Sequence, residues 1–144
     1  MVEVNNKKAR FDYFIDEEIE CGIALTGTEI KSIRKGSVNL KDTYARIKNH
    51  EVFVLNMFIA KYDEGNIFNH DERRSRKLLL HKKQILKLEE KIKLEGYTLV
   101  PLKLYFVKDK VKILLGLCRG KKNYDKRETI KQRDLDRESR KINY

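Results

Sequence analysis

His70, Asp71 and Glu72 stand side by side, and a general acid and base for phosphodiester cleavage could in principle be drawn from that trio. Sequence neighbours seldom converge on one reacting atom, however, and no HxH, DxD or phosphate-loop pattern accompanies them. His50 falls in an expected turn and His81 at an expected helix start. Cys21 and Cys118 lie far apart, with neither metal-ligand spacing nor a CxxC partner, so they read as small apolar residues inside strands. The expectation is of no catalytic site, no metal and no cofactor.

The cations are more telling. Lys7, Lys8 and Arg10 open the chain. Lys31, Arg34 and Lys35, spaced by three and four, share one face of a helix. Arg73, Arg74, Arg76 and Lys77 precede Leu78-Leu79-Leu80, and Lys82 and Lys83 follow. Each group can neutralise phosphates and release their counterions. One such cluster is commonly no more than a solvated face, but three of them and a basic tail on one small chain point to nucleic acid. Among the thirteen Tyr and Phe residues, Tyr44, Tyr62 and Tyr124 lie among polar neighbours, where a ring can stack on a base.

Short strands and two helices must position these groups. Ile19, Cys21, Ile23 and Leu25 alternate with Glu18, Glu20, Gly22 and Ala24, the period of a half-buried strand, and Phe11, Tyr13 and Ile15 alternate before them. Residues 43–48 and 52–59 flank the turn Asn49-His50, and 97–107 and 111–118 flank Lys108-Asp109-Lys110, two hairpin signals. Pro101 lacks an N–H and belongs at an edge or a bulge. Thr28 as N-cap and Gly36 beyond the end bracket a helix over 29–35, and Ile85, Leu88 and Ile92 share a face of a second over 81–95, stopped by Gly96. The fold expected is mainly β, a closed antiparallel barrel of the oligonucleotide-binding type with about six strands and two to three flanking helices.

Composition agrees with that class. Lys and Arg number 33 against 22 Asp and Glu, a formal charge of +11 that attracts polyanions. The longest uncharged run, 52–60, falls short of the ~20 residues of a spanning helix, and the N-terminus lacks a signal-peptide core, so a cytoplasmic protein with no membrane partner is expected. Residues 1–118 form the expected domain. Residues 119–144 carry ten Lys or Arg, five Asp or Glu and few apolar side chains, a composition expected to be disordered when free. Wound at 3.6 residues per turn, Lys122, Lys126, Arg133, Arg137, Arg140 and Lys141 fall within an arc of about 100°, so the tail is expected to turn helical against a phosphate-rich surface. On these grounds alone the chain is either an RNA-binding adaptor or a general oligonucleotide-binding factor, such as a translation initiation factor.

A resemblance narrows the choice. The runs Asn6-Lys7-Lys8-Ala9-Arg10 and Asp12-Tyr13-Phe14-Ile15 resemble the opening of the SsrA-binding protein (SmpB) family. Glu20 with Gly22-Ile23-Ala24-Leu25, then Gly27-Thr28-Glu29-Ile30-Lys31-Ser32-Ile33-Arg34, continue the likeness. So do Gly65-Asn66, Asn69-His70, Arg76-Lys77-Leu78-Leu79-Leu80-His81-Lys82, Glu95-Gly96-Tyr97-Thr98, Pro101-Leu102 and Leu104-Tyr105-Phe106. Gly120-Lys121-Lys122-Asn123-Tyr124-Asp125-Lys126-Arg127 resembles the family's tail signature. The chain departs from the family pattern at Phe11, where His is usual, at Glu72 and Cys118, and in lacking a Pro before Tyr62.

The resemblance implies binding to the tRNA-like part of transfer-messenger RNA (tmRNA), help in its charging by alanyl-tRNA synthetase, and delivery with elongation factor Tu and GTP to a stalled ribosome. There such a protein stands in for the codon–anticodon duplex at the small-subunit decoding centre, its tail in the empty mRNA channel, and it acts as a monomer. It also implies tmRNA contacts at Glu20, Leu79 and Lys112, and a ribosomal role for Asp125, Lys126 and Arg127. With the cation clusters, the expected RNA-binding residues are Lys7, Arg10, Glu20, Lys31, Ser32, Arg34, Arg76, Lys77, Leu79, Lys82 and Lys112. The expected ribosome-binding residues are Gly120, Lys121, Lys122, Tyr124, Asp125, Lys126, Arg127, Lys131, Arg133, Arg137 and Arg140. Glu20 repels phosphate, so it orients a neighbouring cation, accepts from a base or ribose hydroxyl, or is a strand acid with no RNA role, and Leu79 is either core or a surface for an unpaired base.

Overall fold

The computed structural model describes residues 2–62 and 69–121. Among the described residues there are nine strands and three helices: β1 (Glu3–Asn5), α1 (Lys7–Asp12), β2 (Tyr13–Ile23), α2 (Gly27–Arg34), β3 (Val38–Asn39), β4 (Tyr44–Lys48), β5 (Glu51–Leu55), β6 (Phe58–Ile59), β7 (Arg76–Leu79), α3 (Lys82–Glu95), β8 (Thr98–Val107) and β9 (Lys110–Gly120). The fold is mainly β. Six strands pair in the order β8-β4-β5-β7-β2-β9, and β9 pairs back to β8, so the sheet closes into a ring in which every pairing is antiparallel. β1 adds to the outside of β8, and β3 with β6 forms a separate two-stranded ladder.

The ring encloses the main core. Cys21, Val52, Val54, Leu78, Leu99, Leu104, Ile113, Leu115 and Leu117 point inward from the strands. α2 contributes Ile33, and α3 lays Ile85, Leu88 and Ile92 on the cluster, the face its spacing predicts. A smaller cluster lies under α1, where Ala9, Val100, Leu102 and Cys118 meet Tyr13 and Ile15. Two β-bulges make it. The register of β2 against β9 slips between Ile15 and Glu17, and that of β8 against β9 between Pro101 and Lys103. Each extra residue swaps the faces of its strand. Tyr13 and Ile15 therefore leave the interior although they continue the odd-numbered alternation of Ile19, Cys21 and Ile23. Gly116 lies where Leu102 crosses: a Cβ there would sit 2.8 Å from Leu102 Cδ1. Both cysteines are buried, and burial pushes the Cys21 thiol up to about 12 and the Cys118 thiol up to about 11, so neither is a thiolate nucleophile near neutral pH.

Several expectations are met and several are shifted. The bulge at Pro101 follows from its missing N–H. Asn49 and His50 both adopt positive φ, 52° and 61°, between the paired residues Lys48 and Glu51, the geometry of a two-residue hairpin turn. The N-cap of α2 is Thr26, not Thr28: its side chain accepts from the Glu29 N–H while the Glu29 carboxylate accepts from the Thr26 N–H. The segment expected as one strand over 52–59 is broken into β5 and β6. α1 and β7 have no counterpart in the sequence reading, α1 because only Ala9 is buried, β7 because its charged residues mask its alternation. β9 continues to Gly120, two residues past the expected domain end at 118.

Candidate nucleic-acid interface

Register brings the expected RNA contacts into one row. Leu79 on β7 lies opposite Gly22 on β2, Gly22 lies opposite Lys112 on β9, and Lys112 lies opposite Tyr105 on β8. Alternation puts the row on the outer face. Cys21, Leu78, Val111 and Ile113 point inward beside them, so Gly22, Leu79 and Lys112 point out. Leu79 is 52% exposed, a large apolar side chain held in solvent rather than in the core. Gly22 leaves the floor bare, and a Cβ there would touch Leu79 Cδ1 at 3.4 Å. Glu20, two residues back on the same face of β2, joins Lys77, His81 and Lys82 around a groove of about 670 Å³.

The groove is rimmed by cations of unequal freedom. Lys77 is 3.7 Å from Glu51, and both are about half exposed, so that pair adds little. Lys82 and Lys112 have no carboxylate within ion-pairing distance among the described residues. Both can meet a phosphate. Glu20 is not adrift among them: the Tyr105 hydroxyl donates to its Oε2. The Tyr105 ring in turn carries the Lys103 ammonium at 5.4 Å, and Lys103 pairs with Glu3 at 2.8 Å. Sequence reading passed over Tyr105. Counting outward from the turn after Val107, which pairs with Lys110, places Tyr105 opposite Lys112, a signal that could have found it.

A second basic face lies on α2. Lys31 and Lys35 sit over the Tyr62 ring at 5.4 and 4.7 Å, and Arg34 over Phe106 at 5.7 Å. Two expected contacts are corrected here. Ser32 is 2% exposed and Arg76 fully buried, so neither reaches a phosphate in solvent. Arg76 donates instead to buried Glu29 and to the Met57 carbonyl at 2.6 Å, while Arg74 meets Glu29 at 2.5 Å. Burial alone would raise the Glu29 pKa. Arg74, the Thr26 N–H and Arg76 outweigh it and hold the carboxyl below its ordinary value. His70 is structural as well: with its Nε2–H donated to the Ile59 carbonyl and Nδ1 accepting from the Thr28 hydroxyl, both at 2.9 Å, it ties α2 to β6. Among the described residues no cluster of His, Cys, Asp or Glu is placed to hold a metal ion, and no helix is long and apolar enough to cross a membrane.

Lys7 and Arg10 are exposed on α1, Arg10 paired with Glu18 at 3.4 Å. Beside them, Gly120 pairs with Tyr13, and the Lys121 N–H donates to the Asp12 carbonyl at 2.9 Å. Arg119 and Lys121 flank the Phe14 ring at 5.4 and 5.1 Å. The remaining expected tail contacts, Lys122, Tyr124, Asp125, Lys126, Arg127, Lys131, Arg133, Arg137 and Arg140, lie outside the described residues, as do Gly65 and Asn66.

Comparison with known proteins points the same way. The family model described as "SmpB protein" matches residues 3–143. The chain is 60% identical to the SsrA-binding protein of Staphylococcus haemolyticus, covering 92% of this chain and 87% of the relative. It is 58% identical to that of Shouchella clausii, covering 95% and 88%. A solved chain from "tmRNA-SmpB: a journey to the center of the bacterial ribosome" superposes with a TM-score of 0.69 at 48% identity, over 84% of this chain and 85% of its own.

Proposed function

The chain belongs to the SmpB family of SsrA-binding proteins, and from that premise we propose that it binds the tRNA-like domain of tmRNA and delivers it to stalled ribosomes for trans-translation. The observation that carries this reading is the row Leu79–Gly22–Lys112 with Lys82 beside it. A bare backbone floor, an exposed leucine and ammonium groups without a carboxylate partner among the described residues suit an unstacked nucleotide, whose base packs on Leu79 while its phosphates meet Lys112 and Lys82. Recognition of this kind uses loops, stacking and 2′-hydroxyls rather than a groove code. Lys31 and Arg34 on α2 extend the basic surface, with Lys7, Arg10 and Lys77 as further phosphate contacts.

The rest of the cycle follows from the same premise. The sheet ring serves as an oligonucleotide-binding-like barrel. The segment beyond Lys121, with its cations on one helical arc, takes the mRNA channel and the decoding centre and turns helical there. Elongation factor Tu with GTP and alanyl-tRNA synthetase engage through tmRNA. The protein works as a cytoplasmic monomer with no catalytic chemistry of its own.

Binding of a tRNA-like-domain transcript tests the site. Leu79→Ala is expected to cost up to about 3 kcal/mol of affinity by removing the apolar surface that a base covers. Lys112→Ala is expected to lower affinity and to reduce the slope of log K against log salt by about 1. If both variants bind like the wild type across the salt range, the groove is not the interface.

A further inference from the structure

We propose that Tyr105 is a positioning residue of the RNA site: its hydroxyl fixes the Glu20 carboxylate so that the remaining carboxylate oxygen accepts a hydrogen bond from a neutral donor on the RNA. The inference rests on the groove being the tmRNA contact. An acid amid phosphate-binding lysines needs a reason, since it repels the backbone those lysines attract. The register supplies one. Glu20 pairs with Leu114 and Tyr105 with Lys112, so the two side chains meet across β9, above the interval between Leu114 and Lys112. The hydroxyl takes Oε2, and Oε1 has no hydrogen-bond partner among the described residues.

The tyrosine is itself held from the far side. Its ring carries the Lys103 ammonium at 5.4 Å, and Lys103 is fixed by Glu3 at 2.8 Å. Burial, then the adjacent Glu20 charge, push the phenol above its ordinary pKa, so it remains a donor across the physiological range. A glutamate on an open strand samples several rotamers, and ordering it on binding opposes affinity. With one oxygen engaged beforehand, the other is presented beside Lys112. A phosphate can then sit on the ammonium while a base amino group or a 2′-hydroxyl of the same nucleotide donates to Oε1.

The test uses full-length protein and a tRNA-like-domain transcript. Tyr105→Phe keeps the ring and removes only the hydroxyl, so unfolding is expected to stay near wild type while affinity falls roughly tenfold. The salt slope should not change, because no cation is lost, whereas a general loosening of the basic surface would lower it. Glu20→Gln should weaken binding similarly, and the double variant should be no weaker than Glu20→Gln alone. Tyr105→Phe binding at wild-type strength, or losses that multiply in the double variant, would overturn the proposal while leaving the groove standing. If Glu20→Gln and Lys112→Ala also bind like wild type, the groove reading falls instead, and this inference with it. Transcripts with single 2′-deoxy substitutions then locate the donor. One position at which the Glu20→Gln penalty vanishes marks a ribose hydroxyl, and a penalty kept at every position marks a base.

Discussion

Glu29 shows how much one carboxylate organises. It closes the capping box of α2 and neutralises Arg76 in a site where both side chains are fully buried. Removing one partner of such a pair strands the other charge, so Glu29→Gln is expected to destabilise the fold by about 3–5 kcal/mol in urea unfolding. The pH dependence has a definite sign. Because its folded pKa lies below the ordinary 4.5, Glu29 contributes its full stabilisation above that value and loses it as pH falls through the depressed one. Wild-type stability should drop on acidification in that window, with a component that Glu29→Gln lacks. The spacing of Thr26 and Glu29 is that of a capping box, but the buried pairing was not legible in the sequence. Arg76 reads as one more cation in a basic run, because residue type marks a charge but not what neutralises it, and its partner lies 47 positions earlier. Leu79 was ambiguous for a related reason: in a run of three leucines, only the strand register decides which one faces water.

At the scale of elements, what could be read was what local chemistry dictates. Pro101 announces a bulge by its missing N–H, Gly36 and Gly96 end their helices with positive φ, and Asn49-His50 marks a tight turn. The second bulge carries no such mark, since any residue can sit at Asp16, and its effect appears only when Tyr13 and Ile15 turn away from the main core. β7 is hidden because alternation needs apolar residues to be seen, and its buried positions are an arginine and a leucine. The close packing of β8 on β9 yields a test. Gly116→Ala places a methyl 2.8 Å from Leu102 Cδ1 and 3.0 Å from Cys118 Sγ. It should cost about 1–3 kcal/mol, measured by thermal or urea unfolding, with RNA binding unchanged once the protein is folded.

For the whole molecule, the proposed division of labour has the closed ring present one face to tmRNA while the basic tail serves the ribosome. Ring closure depends on β2 pairing with β9, segments about a hundred residues apart, and no local pattern specifies that partner. The net charge of +11, by contrast, was plain from composition and sets the long-range field. Reversing Lys31, Arg34 and Lys82 together should leave the fold intact, because all three are exposed, yet weaken tmRNA binding roughly tenfold or more and flatten its salt dependence. A triple variant that binds as tightly as wild type would remove that surface from the account. Truncation after Lys122 should leave tmRNA affinity largely unchanged and abolish peptide tagging in a reconstituted stalled-ribosome assay, whereas normal tagging would contradict the division of labour. The most direct measurement is to recover the protein from cells with its bound RNA and sequence that RNA. tmRNA is expected to be the dominant species, depleted when Leu79 and Lys112 are both changed to alanine. A broad RNA population without tmRNA enrichment would contradict it and point to a general oligonucleotide-binding factor.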